Sequence, residues 1–177
     1  MTKLSSVRNG NEQTLVIGKR EGAYKDMPLA RPFKVKVLSS LIPQSVTVNG
    51  HPAKYQYSGE DFALLIDVPA QACDQEKVVK IVYPSEKVDL NGLLGASRRI
   101  AKSMEQLKYR NSYIVFKEEF GKMGSLSEAV TYAPSEMPAL IADFWKSYNE
   151  LPAVLERQGM KSDLATWFLQ SVCWSKR

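Results

Sequence analysis

Apolar and polar residues alternate through the first half of the chain and recur at intervals of three and four through the second. Thr14-Leu15-Val16-Ile17-Gly18 is a short apolar run, and Pro32 to Leu38 sets Phe33, Val35 and Val37 on one face against Lys34 and Lys36 on the other. That period of two predicts a half-buried strand. Ser45-Val46-Thr47-Val48 runs into Asn49-Gly50, a strong signal for a tight hairpin, with Lys54 to Tyr57 as the expected return strand. Phe62–Val68 and Val78–Tyr83 complete six strands. These last two are expected to stop at Pro69 and Pro84, because proline has no amide to give a ladder. Six short strands separated by turns predict an antiparallel sandwich.

Beyond Asp89 the period becomes helical. Leu90, Leu93, Leu94, Ser97, Ile100, Ala101, Met104 and Leu107 share one helix face. Ser112 to Phe120 is a candidate second helix, and Ser125-Leu126-Ser127-Glu128 has the form of a capping box opening a short third. Ser135 is placed to cap the next, with Pro138 tolerated in its first turn. There Met137, Leu140, Ile141, Phe144, Trp145, Tyr148 and Leu151 keep the helical spacing. Pro152 starts a short helix that Gly159 ends, and Ser162 is placed to cap the last, lined by Leu164, Ala165, Phe168, Leu169, Val172 and Cys173. The predicted fold is α+β: an antiparallel β-sandwich-like half over residues 1–88 and a helical half over 89–177. The junction Pro84–Asp89 is short, so the halves are expected to pack together.

Composition narrows the function. The chain has 177 residues, one histidine and two cysteines. His51 alone leaves little for a histidine metal site or a Ser-His-Asp triad. Cys73 and Cys173 cannot build a disulfide framework and are expected to be free thiols. No apolar run approaches the ~18 residues of a membrane span, and Met1 to Ser6 has no apolar signal core. The net charge of +5 is spread: 12 Lys and Arg against 9 Asp and Glu over residues 1–88, and 12 against 10 over 89–177. The densest basic cluster, Arg98, Arg99 and Lys102, fits a solvated helix face better than a nucleic-acid stripe.

Catalytic chemistry is hard to find. Glycoside hydrolysis needs two carboxylates facing one bond. Glu60-Asp61 falls in a predicted hairpin loop and Glu118-Glu119 on a helix where neighbouring side chains diverge, so both pairs are expected to be solvated. His51 stands beside a turn. Gly121-Lys122-Met123-Gly124 has the form of the GXXG loop of RNA-binding KH domains, but the surrounding elements come in the wrong order. No catalytic, cofactor or metal residue is assigned.

The aromatics offer two candidate surfaces. Tyr55 and Tyr57 alternate with Gln56 and could stack on sugar rings, or pack across strands. Trp145 belongs to a core face. Trp167 and Trp174 are seven apart, hence on one stripe of the last helix at the edge of its apolar face, as a docking surface or as local core.

Residues 14–83 also carry a resemblance. Thr14-Leu15-Val16-Ile17-Gly18, then Glu21-Gly22-Ala23-Tyr24-Lys25-Asp26-Met27-Pro28-Leu29-Ala30-Arg31-Pro32-Phe33, then Pro43-Gln44-Ser45-Val46-Thr47-Val48-Asn49-Gly50 and Tyr55-Gln56-Tyr57-Ser58, resemble the distal C-terminal β-sandwich of family 31 glycoside hydrolases, the α-glucosidases and α-xylosidases. The catalytic barrel of that family, with its Trp-x-Asp-Met-Asn-Glu nucleophile motif, has no counterpart here, nor do the first strands of its distal sandwich. Residues 89–177 match no part of it. The resemblance implies a non-catalytic accessory region bracing a parent enzyme. Its partner would be the parent's barrel or a second copy of the chain, possible contact with carbohydrate comes through the tyrosines, and neither nucleic acid nor membrane is expected. Parents of this family are often secreted, periplasmic or in the endoplasmic reticulum.

Overall fold

The computed structural model describes residues 1–84 and 88–176. The chain is α+β, with antiparallel strands in its first half and helices in its second. Two compact units divide it: Met1–Ser58 with Phe62–Glu86, and Gly59–Asp61 with Lys87–Arg177. Of the expected junction at Pro84–Asp89, residues 85–87 lie outside the described residues.

In the first unit, β1 (Thr2–Asn9), β2 (Glu12–Arg20), β8 (Lys77–Val82), β4 (Ser45–Val48) and β5 (His51–Pro52) form one sheet in that order. A second sheet orders β3 (Ala30–Val37), β7 (Ala63–Ala72) and β6 (Tyr55–Ser58). The core-facing residues alternate as period two requires: Val46, Val48, Val79 and Ile81 from the first sheet, Leu64, Ile66 and Val68 from the second, all buried.

The strand β1 lies outside the six predicted. Its two apolar residues, Leu4 and Val7, are three apart, so no alternation marks it, and every position is exposed. It pairs with β2 across a turn where Gly10 takes φ 61°. Asn9-Gly10 is the one turn signal it carries in the sequence.

The Asn49-Gly50 turn forms with φ 51° and 81°, the mirror-image geometry that matches strand twist. Its return strand is His51–Pro52, however, and Tyr55–Ser58 crosses to the other sheet to pair with β7. Nor does β7 stop at Pro69. Arg31 pairs with Gln71 and Phe33 with Val68, so Pro69 and Ala70 together oppose Pro32 in a bulge. Both prolines sit where the ladder is already interrupted and no amide is missed.

The second unit holds α1 (Leu93–Arg110), α2 (Glu118–Gly124), α3 (Ala129–Tyr132), α4 (Met137–Asn149), α5 (Leu151–Gln158) and α6 (Ser162–Ser171). The predicted apolar face of α1 is its buried face, with Leu93, Ser97, Ile100, Met104 and Leu107. On α4, Met137, Ile141, Phe144 and Tyr148 are likewise buried. The predicted second helix begins later, at Glu118, and Pro138 falls in the first turn of α4 as expected. Gly159 ends α5 at φ 80°.

The serine caps do not form. Ser125 follows the C-terminus of α2 and its Oγ donates back to the Gly121 carbonyl. Ser135 lies in a 3-10 turn, and Ser162 is inside α6, with Lys161 before it. For Ser125 the competing backbone carbonyl takes the hydroxyl that a cap would have used.

The loop at Gly59 belongs to this second unit. A Cβ on Gly59 would stand 2.6 Å from the Ser127 carbonyl oxygen and 2.9 Å from Val130 Cβ, so only glycine fits there. Arg98 then holds the Glu60 carbonyl at 3.1 Å and the Asp61 carboxylate at 2.8 Å.

Candidate functional site

The two candidate tyrosines sit on β6 opposite Ile66 and Leu64, residues of the core face. Tyr55 and Tyr57 therefore turn the same way as that face. The Tyr57 hydroxyl donates to the Ser40 carbonyl at 2.7 Å, and the Tyr55 hydroxyl reaches the Pro43 carbonyl at 3.4 Å. Tyr55 keeps 38% of its surface exposed, whereas Tyr57 is half-buried. Their alternation follows the cross-strand pairing with Ile66 and Leu64.

Around Tyr57 stands a hydroxyl cluster that single-strand patterns could not reveal. Ser40 Oγ donates to the Tyr83 hydroxyl at 3.1 Å, and the Tyr83 hydroxyl donates to Gln13 Oε1 at 2.9 Å. Ser40 and Tyr83 are each 1% exposed. Burial, and then the neighbouring Tyr83, push the Tyr57 phenol well above its ordinary range. Burial raises Tyr83 too, against the opposing pull of the Ser40 hydrogen bond and the Arg8 charge. Arg8 lies 4.7 Å from the centre of the Tyr83 ring. The cluster joins β2, the β3–β4 loop, β6 and the residue after β8, so it clamps the two sheets.

The carboxylate pairs are engaged as ion pairs. Glu118 meets Lys122 one helical turn on, and Glu119 is gripped by Arg157 through both Nε and Nη2 at 3.1 and 2.8 Å. Ser147 adds a third bond to Glu119 at 3.2 Å. These carboxylates remain in contact with solvent, Glu119 at 42% and Asp61 at 33% side-chain exposure, while their ion pairs fix helices and a loop. The basic cluster lies on the exposed face of α1 as expected, and two of its members also make specific contacts: Arg98 holds the Gly59 loop, and Arg99 Nε donates to the Val172 carbonyl at 2.8 Å beyond the end of α6.

Gly121 to Gly124 lies within α2, not in a loop between helices. A Cβ on Gly124 would come 2.6 Å from Met104 Sδ, so close packing on α1 explains that glycine. His51 is exposed on β5 and lines an open groove of about 730 Å³ in the first unit, with Phe33, Val48, Pro69, Lys54 and Asp67. A second groove, about 780 Å³, lies between α2 and α4, where Met123, Leu140 and Phe144 form an apolar floor below Glu118, Lys122 and Arg157. Among the described residues no group of three or more His, Cys, Asp or Glu is placed to hold a metal ion.

The tryptophans do not share a helical stripe. The helix α6 ends at Ser171, and Cys173 takes φ 50°, which turns the chain before Trp174. Trp174 Nε1 donates to the Tyr148 carbonyl at 2.7 Å, while Arg110 lies 4.3 Å over the Trp167 ring. The same turn brings Cys173 to the surface instead of the predicted apolar face. Cys73, in a polar stretch of sequence, is 5% exposed because its amide bonds the Leu29 carbonyl and its carbonyl accepts from the Arg20 amide. Both cysteines are free.

Comparison with family models, with curated proteins and with solved structures finds no match for the chain.

Proposed function

We propose that the chain is a non-catalytic accessory region of an α-glucosidase-like glycoside hydrolase, bracing the parent enzyme. The observation that carries this reading is that residues 14–58, the family-like stretch, run from β2 to β6 through one antiparallel two-sheet unit. The engagement of Asp61, Glu118 and Glu119 in ion pairs supports a structural role for those acids. The partner in this reading is the parent's catalytic barrel.

The gene provides the test. The reading frame of this chain should encode a barrel upstream carrying the nucleophile motif and a second catalytic acid. Deleting residues 1–177 from that product should lower its thermal midpoint. An upstream frame without such a barrel, or a deletion that leaves the midpoint unmoved, overturns the reading. The isolated chain should turn over neither α-glucosides nor α-xylosides. Turnover that copurifies with it and falls on mutation of a carboxylate would sink the proposal.

A further inference from the structure

We propose that a basic pocket at one end of the first unit is an oxyanion site, taking the phosphate or carboxylate group of a small ligand. The pocket, about 350 Å³, is lined by Arg20, Tyr24, Arg31, Phe33, Cys73 and Lys77, with Met1, Thr2, Gly18 and Pro28 completing it. The strand pairings assemble it. Arg20 ends β2 and its amide bonds Cys73, Arg31 opens β3 opposite Gln71, and Lys77 starts β8 opposite Ile17. Three cationic side chains line the cavity, and no carboxylate does.

Lys77 is the decisive member. It is 1% exposed, and its ammonium donates to the Ala72 and Gln75 carbonyls, each at 2.6 Å. Those bonds take two of its three protons. Carbonyl dipoles orient the charge but do not neutralise it, and a buried cation is costly unless a counter-charge stands by. Arg20 spends one donor on the Pro28 carbonyl at 2.6 Å and keeps the rest of its fork. Arg31 lies 4.8 Å from the centre of the Phe33 ring and makes no hydrogen bond or ion pair among the described residues. Two guanidinium forks and one ammonium around a shared cavity fit an oxyanion, as guanidinium matches carboxylate and phosphate in pairs of bonds. The cavity exceeds the ≈ 30 Å³ share of one water many times over, so it admits the body of a ligand beside the rings of Tyr24 and Phe33.

The inference is independent of the accessory role proposed above. It is tested on the full chain by titrating inorganic phosphate and glucuronate separately, with chloride holding ionic strength constant. Cys73 reports from the pocket wall and exposed Cys173 serves as the internal control. The expected result is a saturable rise in thermal midpoint with at least one probe. At ten times its Kd, Cys73 alkylation should fall to about a tenth, with Cys173 unchanged. Both effects should vanish in Arg31→Gln, whose exposed side chain holds up no other element. Arg20→Gln provides a second variant. Protection by phosphate alone assigns a phosphorylated ligand, and by glucuronate alone a carboxylated one. Protection by neither probe, or protection undiminished in Arg31→Gln, overturns the site.

Discussion

Tyr57 donates its hydroxyl to the carbonyl of the buried Ser40 at 2.7 Å, fastening the edge strand of one sheet to the loop that leads into the other. Removing that donor strands a carbonyl in a buried place, and Tyr57→Phe should therefore cost about 1–3 kcal/mol. Urea unfolding of the variant measures it, and a loss near zero would show that the carbonyl finds another donor.

The same cluster sets an alkaline limit. Tyr57 and Tyr83 both have phenols raised in the folded protein, chiefly by burial. In the unfolded chain they ionise near the ordinary value of 10.0. Their contribution is thus fully present below pH 10 and is lost as pH rises further. Of the eight tyrosines in the chain, these two should develop phenolate absorbance last, together with unfolding. Early ionisation of all eight in the folded state would contradict the clamp.

Much of this fold is legible in the sequence because burial follows period. Phe33, Val35 and Val37, or Ile100, Met104 and Leu107, announce their faces without knowledge of any partner. Strand β1 is silent, since its order comes from pairing with β2 and not from apolar spacing. The direction of Tyr57, the bulge at Pro69 and the turn at Cys173 depend on contacts across the sheets or on a single φ. A lone chain of letters carries no sign of these. The basic pocket is hidden for the same reason: Arg20, Arg31 and Lys77 are distant in sequence and meet only through strand register.

Gly59 and Gly124 make a graded pair. An alanine methyl at Gly59 would meet the Ser127 carbonyl and the Val130 side chain, neither of which can swing away. Gly59→Ala should destabilise by about 1–3 kcal/mol, as overpacking does. At Gly124 the obstacle is the thioether of Met104, an adaptable side chain, so Gly124→Ala should cost less. Thermal unfolding of the two variants ranks them, and the reverse order would refute the packing argument.

Glu119 supplies an acid limit. The Arg157 hydrogen bonds hold its carboxyl below the usual carboxylate range, with burial opposing them. A depressed acid stabilises above its unfolded value, ordinarily 4.5, and that contribution disappears as pH falls through the lower folded value. Its side chain is 42% exposed, so solvent and salt screen the pair and the effect is small. The difference in stability between wild type and Glu119→Gln should shrink on acidification below pH 4.5 and shrink with added salt. A difference constant from neutral to acid pH would mean that Glu119 acts through packing alone.

Trp167 and Trp174 should separate on mutation, because the end of α6 sends them to different surroundings. Trp174 bonds the Tyr148 carbonyl, a link from the chain's last turn to α4. Phenylalanine fills much of the same space but has no donor, so Trp174→Phe should cost about 1 kcal/mol of stability. Trp167 is half-buried and carries Arg110 on its ring, an arrangement worth about 0.5–1 kcal/mol where solvent reaches it. Aromatic rings paired with arginine are also frequent anchors of interfaces. Trp167→Ala should therefore cost little more than that in stability and, under the accessory role proposed above, should weaken association with the proposed parent barrel by about 1 kcal/mol or more. The two quantities are read by denaturant unfolding of the chain and by titration of the chain against the separately expressed barrel. Unchanged association in Trp167→Ala, with a stability loss as large as a fully buried tryptophan's, would leave Trp167 as local core and remove it from the docking surface.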